Sequence, residues 1–170
     1  MRHISLITTG GTIEKIYDEQ TGSLENRQSI VRQMLARLRL EEIEIKIVEL
    51  MSKDSLDLDD ADRERIVEVV RAESEAPTTG VVILHGTDTL ETTGEALHAG
   101  LSEPRVPIVL TGAMRPFEMI RTDALQNLTE AIFATGVLKA GVYCVAHGRA
   151  LRFPGVVKDR GRVTFVRSKA

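Results

Sequence analysis

Short, wholly apolar runs alternate along the chain with longer segments whose apolar residues recur every three or four positions. Val81–Leu84 is apolar throughout, which is typical of a strand covered on both faces. Residues 30–38 instead carry one apolar stripe, which predicts a helix with Ser29 as its N-cap. By these criteria the pattern predicts five strands, around residues 4–8, 44–50, 81–84, 107–110 and 141–146. It also predicts four helices, namely residues 30–38, a helix that begins at Asp59 or Asp60 and ends before Pro77, residues 90–101, and a helix from Asp123 to Thr135 that stops at Gly136.

This order is a strand and a helix repeated four times, followed by a fifth strand. Such alternation predicts an α/β domain with a doubly wound parallel sheet, right-handed crossovers and helices on both faces. The pattern fades after Gly148, so we expect residues 148–170 to form an irregular basic tail of the same single domain, 1–170. Val163–Val166 is the one segment of that tail with strand character.

The composition narrows the class of protein. The chain has 170 residues, of which 42% are hydrophobic and 28% charged, and this usage is typical of one globular domain. A net charge of −3 argues against general nucleic-acid binding. A single cysteine, Cys144, and the lack of a long apolar segment predict a cytoplasmic protein without disulfide or membrane span. The basic tail is expected to be solvated or to contact a second copy of the chain, with a polyanion site as the alternative.

The chemistry-bearing residues follow the predicted strands. Ligands of an open parallel sheet bind beyond the carboxyl ends of its strands. The segments that lie there, 8–12, 52–55, 85–89 and 111–116, are rich in hydroxyls and glycines, which suits a small polar ligand. The first of them lacks the glycine spacing of a dinucleotide or phosphate loop, and the long segment 13–28 after it is interpreted as a mobile lid.

The hydroxyls suggest nucleophilic catalysis, because a threonine hydroxyl becomes a nucleophile only beside a base. The candidate bases are His85 or His147, or a lysine held near Asp88. Lys53 and Lys158 both follow strands, and spacing alone does not choose between them. The histidines lack metal-ligand spacing, so no metal and no cofactor is predicted.

Several motifs together resemble one known family. They are Thr8–Ile13, His85–Thr89 and Thr111–Pro116, accompanied by Asp54-Ser55 with Asp57-Leu58 and by Asp123 with Asn127-Leu128. In this order they resemble the signatures of the bacterial-type L-asparaginase/glutaminase family. The resemblance covers the N-terminal domain of those enzymes, implies its Rossmann- or flavodoxin-like fold, and is greatest to the short, single-domain asparaginases.

The resemblance also implies roles for individual residues. Thr12 corresponds to the nucleophilic threonine, and Tyr17 to the lid tyrosine that assists it. Thr87, Asp88 and Lys158 correspond to the second threonine, its aspartate and the paired lysine that together manage the proton. Which of the two threonines attacks first is left open.

The substrate contacts are implied in the same way. Ser55 corresponds to the serine that binds the α-carboxylate, Asp88 to the aspartate that also holds the α-amino group, and Ala113 to the backbone position beside the amide. Gly11, Asp54 and Thr87 complete the expected substrate-binding set.

The activity that the resemblance implies is hydrolysis of L-asparagine to L-aspartate and ammonia through a threonine acyl-enzyme. It implies a homo-oligomer, dimer or tetramer, with the basic tail near an interface. Two alternatives stay open, namely a non-catalytic amino-acid-binding module and an amidase that supplies ammonia to a partner protein. The preference between asparagine and glutamine is also open.

Overall fold

The computed structural model describes residues 1–168, so Lys169 and Ala170 of the predicted tail lie outside the described residues. In chain order its regular elements are β1 (Arg2–Gly10), β2 (Ile16–Asp18), β3 (Ser23–Glu25), α1 (Val31–Leu35), β4 (Ile43–Lys53), α2 (Asp60–Glu75), β5 (Gly80–Leu84), α3 (Leu90–Gly100), β6 (Pro107–Thr111), α4 (Ala124–Ala134), β7 (Gly141–Ala146), β8 (Arg149–Arg152), β9 (Val156–Asp159) and β10 (Thr164–Arg167). No helix of this part of the chain is long and apolar enough to cross a membrane.

The central sheet has the strand order β4-β1-β5-β6-β7-β8. Its first five strands are parallel, which confirms the predicted fold class. The chain order reverses direction between β1 and β5, and this switch point is where open α/β sheets bind their ligands. The first and third predicted ligand segments therefore begin side by side.

Strand β8 departs from the prediction, because it pairs antiparallel with β7 at the edge of the sheet. Only His147 and Gly148 connect the two strands, and both have a positive φ, 53° and 76°. A two-residue connection of this kind is a hairpin turn, and a hairpin forces the next strand to run antiparallel.

Two apolar layers cover the faces of the sheet. Met34 of α1 and Leu128 of α4 are buried on one face. Ile66 of α2 and Leu97 of α3 are buried on the other face. Helices therefore cover both faces, as a doubly wound sheet requires.

The predicted helix starts are partly correct. Asp59 caps α2 through a reciprocal capping box with Asp62, as predicted. Helix α1 is shorter than predicted and its N-cap is Ile30. Ser29 is one residue ahead of that position, and its hydroxyl donates to the Glu14 side chain.

Two hairpins occupy the regions without a clear sequence pattern. Strands β2 and β3 pair within the segment interpreted as a lid. Strands β9 and β10 pair within residues 148–170, so the prediction of an irregular tail is wrong. These strands have three or four residues each and several exposed positions. Their apolar and polar residues therefore alternate over too short a stretch to predict a strand from the sequence.

Candidate active site

The loop from His85 to Asp88 is the point at which the other strand ends meet. A Cβ at Gly11 would lie 2.3 Å from the Gly86 nitrogen, and a Cβ at Gly112 would lie 2.2 Å from the His85 oxygen. On the far side, a Cβ at Gly86 would lie 2.5 Å from Cβ and Oγ of Ser55. Glycine is therefore required for these loops to approach. The contacts bring the segments that carry Thr12, Ser55, Thr87 and Ala113 to one place.

His85 holds this loop in shape. The side chain is fully buried. Its Nδ1 lies 2.8 Å from the Gly86 carbonyl and its Nε2 lies 2.8 Å from Thr93 Oγ1. Burial lowers the pKa of the imidazole to about 4, so the ring is neutral near pH 7, with Nδ1 donating and Nε2 accepting. His85 is thus a backbone-bonding histidine, and both of its ring nitrogens already have hydrogen-bond partners.

Lys158 joins the two polar residues of the loop. Its Nζ lies 2.7 Å from Thr87 Oγ1 and 2.9 Å from Asp88 Oδ1. The hydrogen bond from Lys158 is the main reason why the pKa of the Asp88 carboxyl is lowered. The other candidate lysine, Lys53, donates instead to Asp62 of α2. Of the two lysines that spacing left open, Lys158 is therefore the one that lies beside Asp88.

Two glutamates of α3 hold the strand that carries this lysine. Glu91 accepts a hydrogen bond of 2.6 Å from the backbone N–H of Lys158, and Glu95 accepts one of 2.6 Å from Gly155. Within residues 1–168, β9 pairs with β10 alone, so these carboxylates replace a strand neighbour. Neither glutamate was predicted from the sequence. Their separation of four on a predicted helix, which puts both on one face, was the available signal.

Arg160 is a second cation on the same carboxylate. Its Nη1 lies 2.9 Å from Asp88 Oδ1, the oxygen that also accepts from Lys158. In the sequence, Arg160 stands out only as part of a basic tail. Nothing in the local pattern distinguishes it from Arg162 in the same turn.

Thr12 opens a short 3-10 turn, Thr12–Glu14, directly after the Gly11 contact. The residue is partly buried, and its hydroxyl has no hydrogen bond within residues 1–168. Tyr17 is 56% exposed on the β2–β3 hairpin. Its hydroxyl lies 3.9 Å from the place of a Cβ at Gly22, in the turn of the same hairpin. No hydrogen bond of the described chain joins Tyr17 to Thr12, and its catalytic role stays a prediction.

Asp54 and Ser55 lie where β4 ends. The Asp54 carboxylate accepts from Lys15 Nζ at 2.6 Å, which lowers its pKa, and from the backbone N–H of Leu56. Ser55 is buried, and its carbonyl accepts from Thr89 Oγ1 at 2.8 Å. Lys15 thus ties the lid segment to the strand end that carries Ser55.

A buried carboxyl lies two residues after Thr12. Glu14 is 1% exposed and accepts from the Gly10 N–H and the Ser29 hydroxyl. Burial raises the pKa of the Glu14 carboxyl to about 7, although those hydrogen bonds act in the opposite direction. No sequence pattern pointed to this residue, because glutamate in a polar loop is ordinarily solvated.

Asp123 positions the segment that carries Ala113. It occupies the N-cap position of α4, but its side chain makes no cap hydrogen bond there. Its carboxylate accepts instead from the N–H groups of Met114 and Arg115 and lies 2.7 Å from His147 Nε2. These hydrogen bonds outweigh the effect of burial and lower the pKa of the Asp123 carboxyl. Ala113 itself is buried, so only its backbone can line a site.

Cys144 is buried in the apolar layer, and burial raises the pKa of its thiol. Within residues 1–168, no three His, Cys, Asp or Glu side chains are grouped in a way that would hold a metal ion.

Comparison with known proteins identifies the family. Residues 3–163 match the family model described as Asparaginase, N-terminal. The chain therefore belongs to the asparaginase family, through the N-terminal domain of that family.

Curated relatives are similar over most of this chain. It is 32% identical over 152 residues to a protein of Methanococcus vannielii that is named as one of the subunits of glutamyl-tRNA(Gln) amidotransferase, and the match covers 87% of this chain and 35% of the relative. It is 36% identical over 132 residues to the protein of the same name from Pyrobaculum aerophilum, covering 76% and 31%. The chain thus spans about a third of the length of these relatives.

Among solved structures, the thermostable L-asparaginase of Thermococcus kodakarensis superposes with a TM-score of 0.81 at 28% identity, covering 92% of this chain and 47% of that one. L-asparaginase I of Vibrio cholerae also superposes with a TM-score of 0.81, at 27% identity, covering 98% and 51%. The chain corresponds to about half of each of these proteins.

Proposed function

We propose that this domain is an amidohydrolase that converts L-asparagine to L-aspartate and ammonia through an acyl-enzyme on Thr12. One observation carries the proposal. A single amine, Lys158 Nζ, lies within hydrogen-bond distance of both the Thr87 hydroxyl and the Asp88 carboxylate. A hydroxyl, an amine and a carboxylate in this order form a route for moving a proton at a threonine.

In the first half-reaction, the Thr12 oxygen attacks the carbon of the side-chain amide, and its proton leaves toward the Thr87–Lys158 pair. The Lys158 ammonium gives a proton to the amide nitrogen, which departs as ammonia, and the amine so formed takes up the Thr12 proton through the Thr87 hydroxyl. In the second half-reaction, water attacks the acyl-enzyme and the same groups return Thr12 to its hydroxyl form. Asp88 stabilises the charged form of the lysine in both steps.

Backbone N–H groups supply the remaining stabilisation. Negative charge develops on the amide oxygen, and the N–H groups of Thr12, Thr87 and Asp88 can donate to it, whereas the Gly11 N–H already donates to the Lys53 carbonyl. One such donor is typically worth about 3 kcal/mol of barrier. The close approach of Gly11 to Gly86 supports this assignment, because it brings the two sets of donors together.

The substrate would lie between Ser55 and Asp88. Ser55 would bind the α-carboxylate, Asp88 the α-ammonium, and the backbone at Ala113 the carboxamide. Gly11, Asp54 and Thr87 would form the rest of the wall. Oxygen atoms of Asp88 and hydroxyls of Ser55 and Thr87 match the charges and donors of a small amino acid.

A second candidate function uses the same first step. Curated relatives above 30% identity are named as subunits of glutamyl-tRNA(Gln) amidotransferase. This favours an amidase whose released ammonia serves an amidation reaction on a partner protein. A non-catalytic amino-acid-binding module is less favoured, since binding alone needs no lysine on a buried threonine hydroxyl.

We also propose that the chain acts as a homo-oligomer, dimer or tetramer. Exposed apolar side chains lie on segments next to the site, Leu56 at 67% and Ile120 at 88% exposure. A second copy of the chain would cover them. Light scattering at working concentration measures this directly, and a monomer would contradict it.

The decisive experiment is a coupled ammonia assay with L-asparagine, L-glutamine and D-asparagine. Thr12→Ala is expected to abolish ammonia release, whereas Thr92→Ala, an exposed threonine of α3, serves as the control. Full activity in a folded Thr12→Ala variant would contradict the nucleophile assignment. Ammonia release that rises on addition of a tRNA-dependent amidation partner would favour the second candidate.

A further inference from the structure

Two cations share one oxygen of the proposed ammonium-binding carboxylate. Lys158 Nζ and Arg160 Nη1 each lie 2.9 Å from Asp88 Oδ1. Within residues 1–168, Asp88 Oδ2 has no hydrogen bond. Both cations therefore contact the same oxygen of the carboxylate, and the other oxygen is left without a donor from the described chain.

The two cations differ in how firmly they are held. The Lys158 side chain is 13% exposed and also binds Thr87, and its strand is fixed by Glu91. The Arg160 side chain is 69% exposed, and its contact with Asp88 is its one side-chain hydrogen bond in the described chain. Lys158 is thus held firmly in the site, whereas Arg160 is an exposed side chain at its rim with a weak, solvent-screened contact.

A third cation would have to share the same single negative charge. The α-ammonium of an amino acid gains most from a carboxylate that no other cation neutralises, and each additional cation nearby repels it. Arg160 is the only one of the two cations that can move away, because Lys158 is held at both its side chain and its backbone.

We propose that Arg160 is a specificity-determining residue that competes with the substrate α-ammonium for Asp88. The proposal rests on the function proposed above, in which Asp88 receives that ammonium. Arg160 then weakens binding of ω-amides that carry an α-ammonium, and leaves binding of ω-amides without one unchanged. The preference of the wild-type site for α-amino acids is consequently smaller than it would be without Arg160 on Asp88.

Succinamate separates the two classes, because it has the terminal carboxamide and carboxylate of asparagine but no α-amino group. Steady-state ammonia release from L-asparagine and from succinamate is measured for the wild type, Arg160→Gln and Arg160→Lys. Arg162→Gln is the matched control, since Arg162 is an exposed arginine of the same turn.

We expect Arg160→Gln to lower KM for L-asparagine by about two- to fivefold, the range for an exposed ion pair, with kcat nearly unchanged. KM for succinamate should change less than twofold, Arg160→Lys should lie near the wild type, and Arg162→Gln should match it. A rise of KM for both amides in Arg160→Gln would overturn the proposal, because Arg160 would then bind the substrate carboxylate. An equal KM for L-asparagine in Arg160→Gln and the wild type would overturn it as well.

A binding measurement distinguishes failure of the Arg160 proposal from failure of the proposed function. Calorimetric binding of L-asparagine and succinamate to the full chain is measured alongside the assay. If no ammonia is released from either amide, the proposed function fails, while a Kd for L-asparagine that falls two- to fivefold in Arg160→Gln still supports the competition. If hydrolysis occurs but the ratio of the two Kd values is the same in Arg160→Gln and the wild type, the competition alone fails.

Discussion

The backbone N–H of Lys158 donates a hydrogen bond to the side chain of Glu91, at 2.6 Å. The Nζ of the same lysine reaches Thr87 and Asp88, which precede Glu91 by only a few residues. One continuous segment, 87–91, therefore binds the proposed proton-transfer lysine at both its main chain and its side chain. Since β9 lies outside the central sheet, this grip sets the position of the amine.

The Glu91 contact predicts a loss of turnover that depends on geometry. Glu91→Ala removes the acceptor, so β9 shifts, and kcat is expected to fall about 10- to 100-fold, the size of effect expected for a displaced catalytic group. Glu91→Gln keeps an acceptor oxygen and should retain most of the activity. Glu68→Ala, an exposed glutamate of α2, is the control. Equal losses in the Ala and Gln variants would show that the charge matters and not the position.

Lys158→Met tests proton transfer itself. The substitution keeps much of the side-chain volume but removes the amine from Thr87 and Asp88, so kcat should fall about 10²- to 10⁴-fold, the usual contribution of a general acid–base group. Lys53→Met, which removes the exposed pair with Asp62, should stay within about twofold of the wild type. Ammonia release with both L-asparagine and succinamate provides the measurement. Retained turnover in Lys158→Met would eliminate the proposed proton route.

Glu14 predicts a pH-dependent stability. Its pKa rises from 4.5 in the unfolded chain to about 7 in the folded protein. Between those values the folded protein holds a proton that the unfolded chain has lost, so the free energy of unfolding falls as pH rises from about 4.5 to 7. Above pH 7 the loss is complete and amounts to at most about 3 kcal/mol.

Glu14→Gln removes this titration and can still bond to Gly10 and Ser29. The variant should be more stable than the wild type at pH 8.5 and close to it at pH 4.5, as measured by urea unfolding. Glu19→Gln on the same segment, an exposed glutamate, is the control and should show no such difference. A stability gap between Glu14→Gln and the wild type that is equal at both pH values would contradict the assignment.

Gly11→Ala tests the approach of the first and third loops. Residue 11 has φ of 77°, and an added Cβ would overlap the Gly86 backbone. The left-handed backbone and the overlap together should lower the free energy of unfolding by about 3 kcal/mol and abolish activity. Gly148→Ala has a similar φ of 76° with open space around it, and should cost about 1 kcal/mol with activity retained. Similar unfolding midpoints for the two variants would disprove the close contact.

The sequence by itself determined the parallel sheet, the four helices and the meeting of the hydroxyl-bearing loops. Buried strands such as Val81–Leu84 and one-sided helices such as α4 are local patterns with a direct physical cause, the exclusion of water from apolar side chains. Once the strands are parallel, their carboxyl ends must share an edge, which places the segments of Thr12 and Thr87 together.

Only the tertiary structure decided which charged groups meet at that edge. Lys158 was chosen over Lys53, Arg160 joined it on Asp88, and Tyr17 stayed on an exposed hairpin. Lys158 and Arg160 lie about seventy residues from Asp88 in sequence. Both are on a hairpin that is held against α3 by carboxylate side chains of that helix. A charged side chain in a short, half-exposed strand leaves no periodic pattern, because its partner is set by the docking of distant elements and not by its neighbours in the chain.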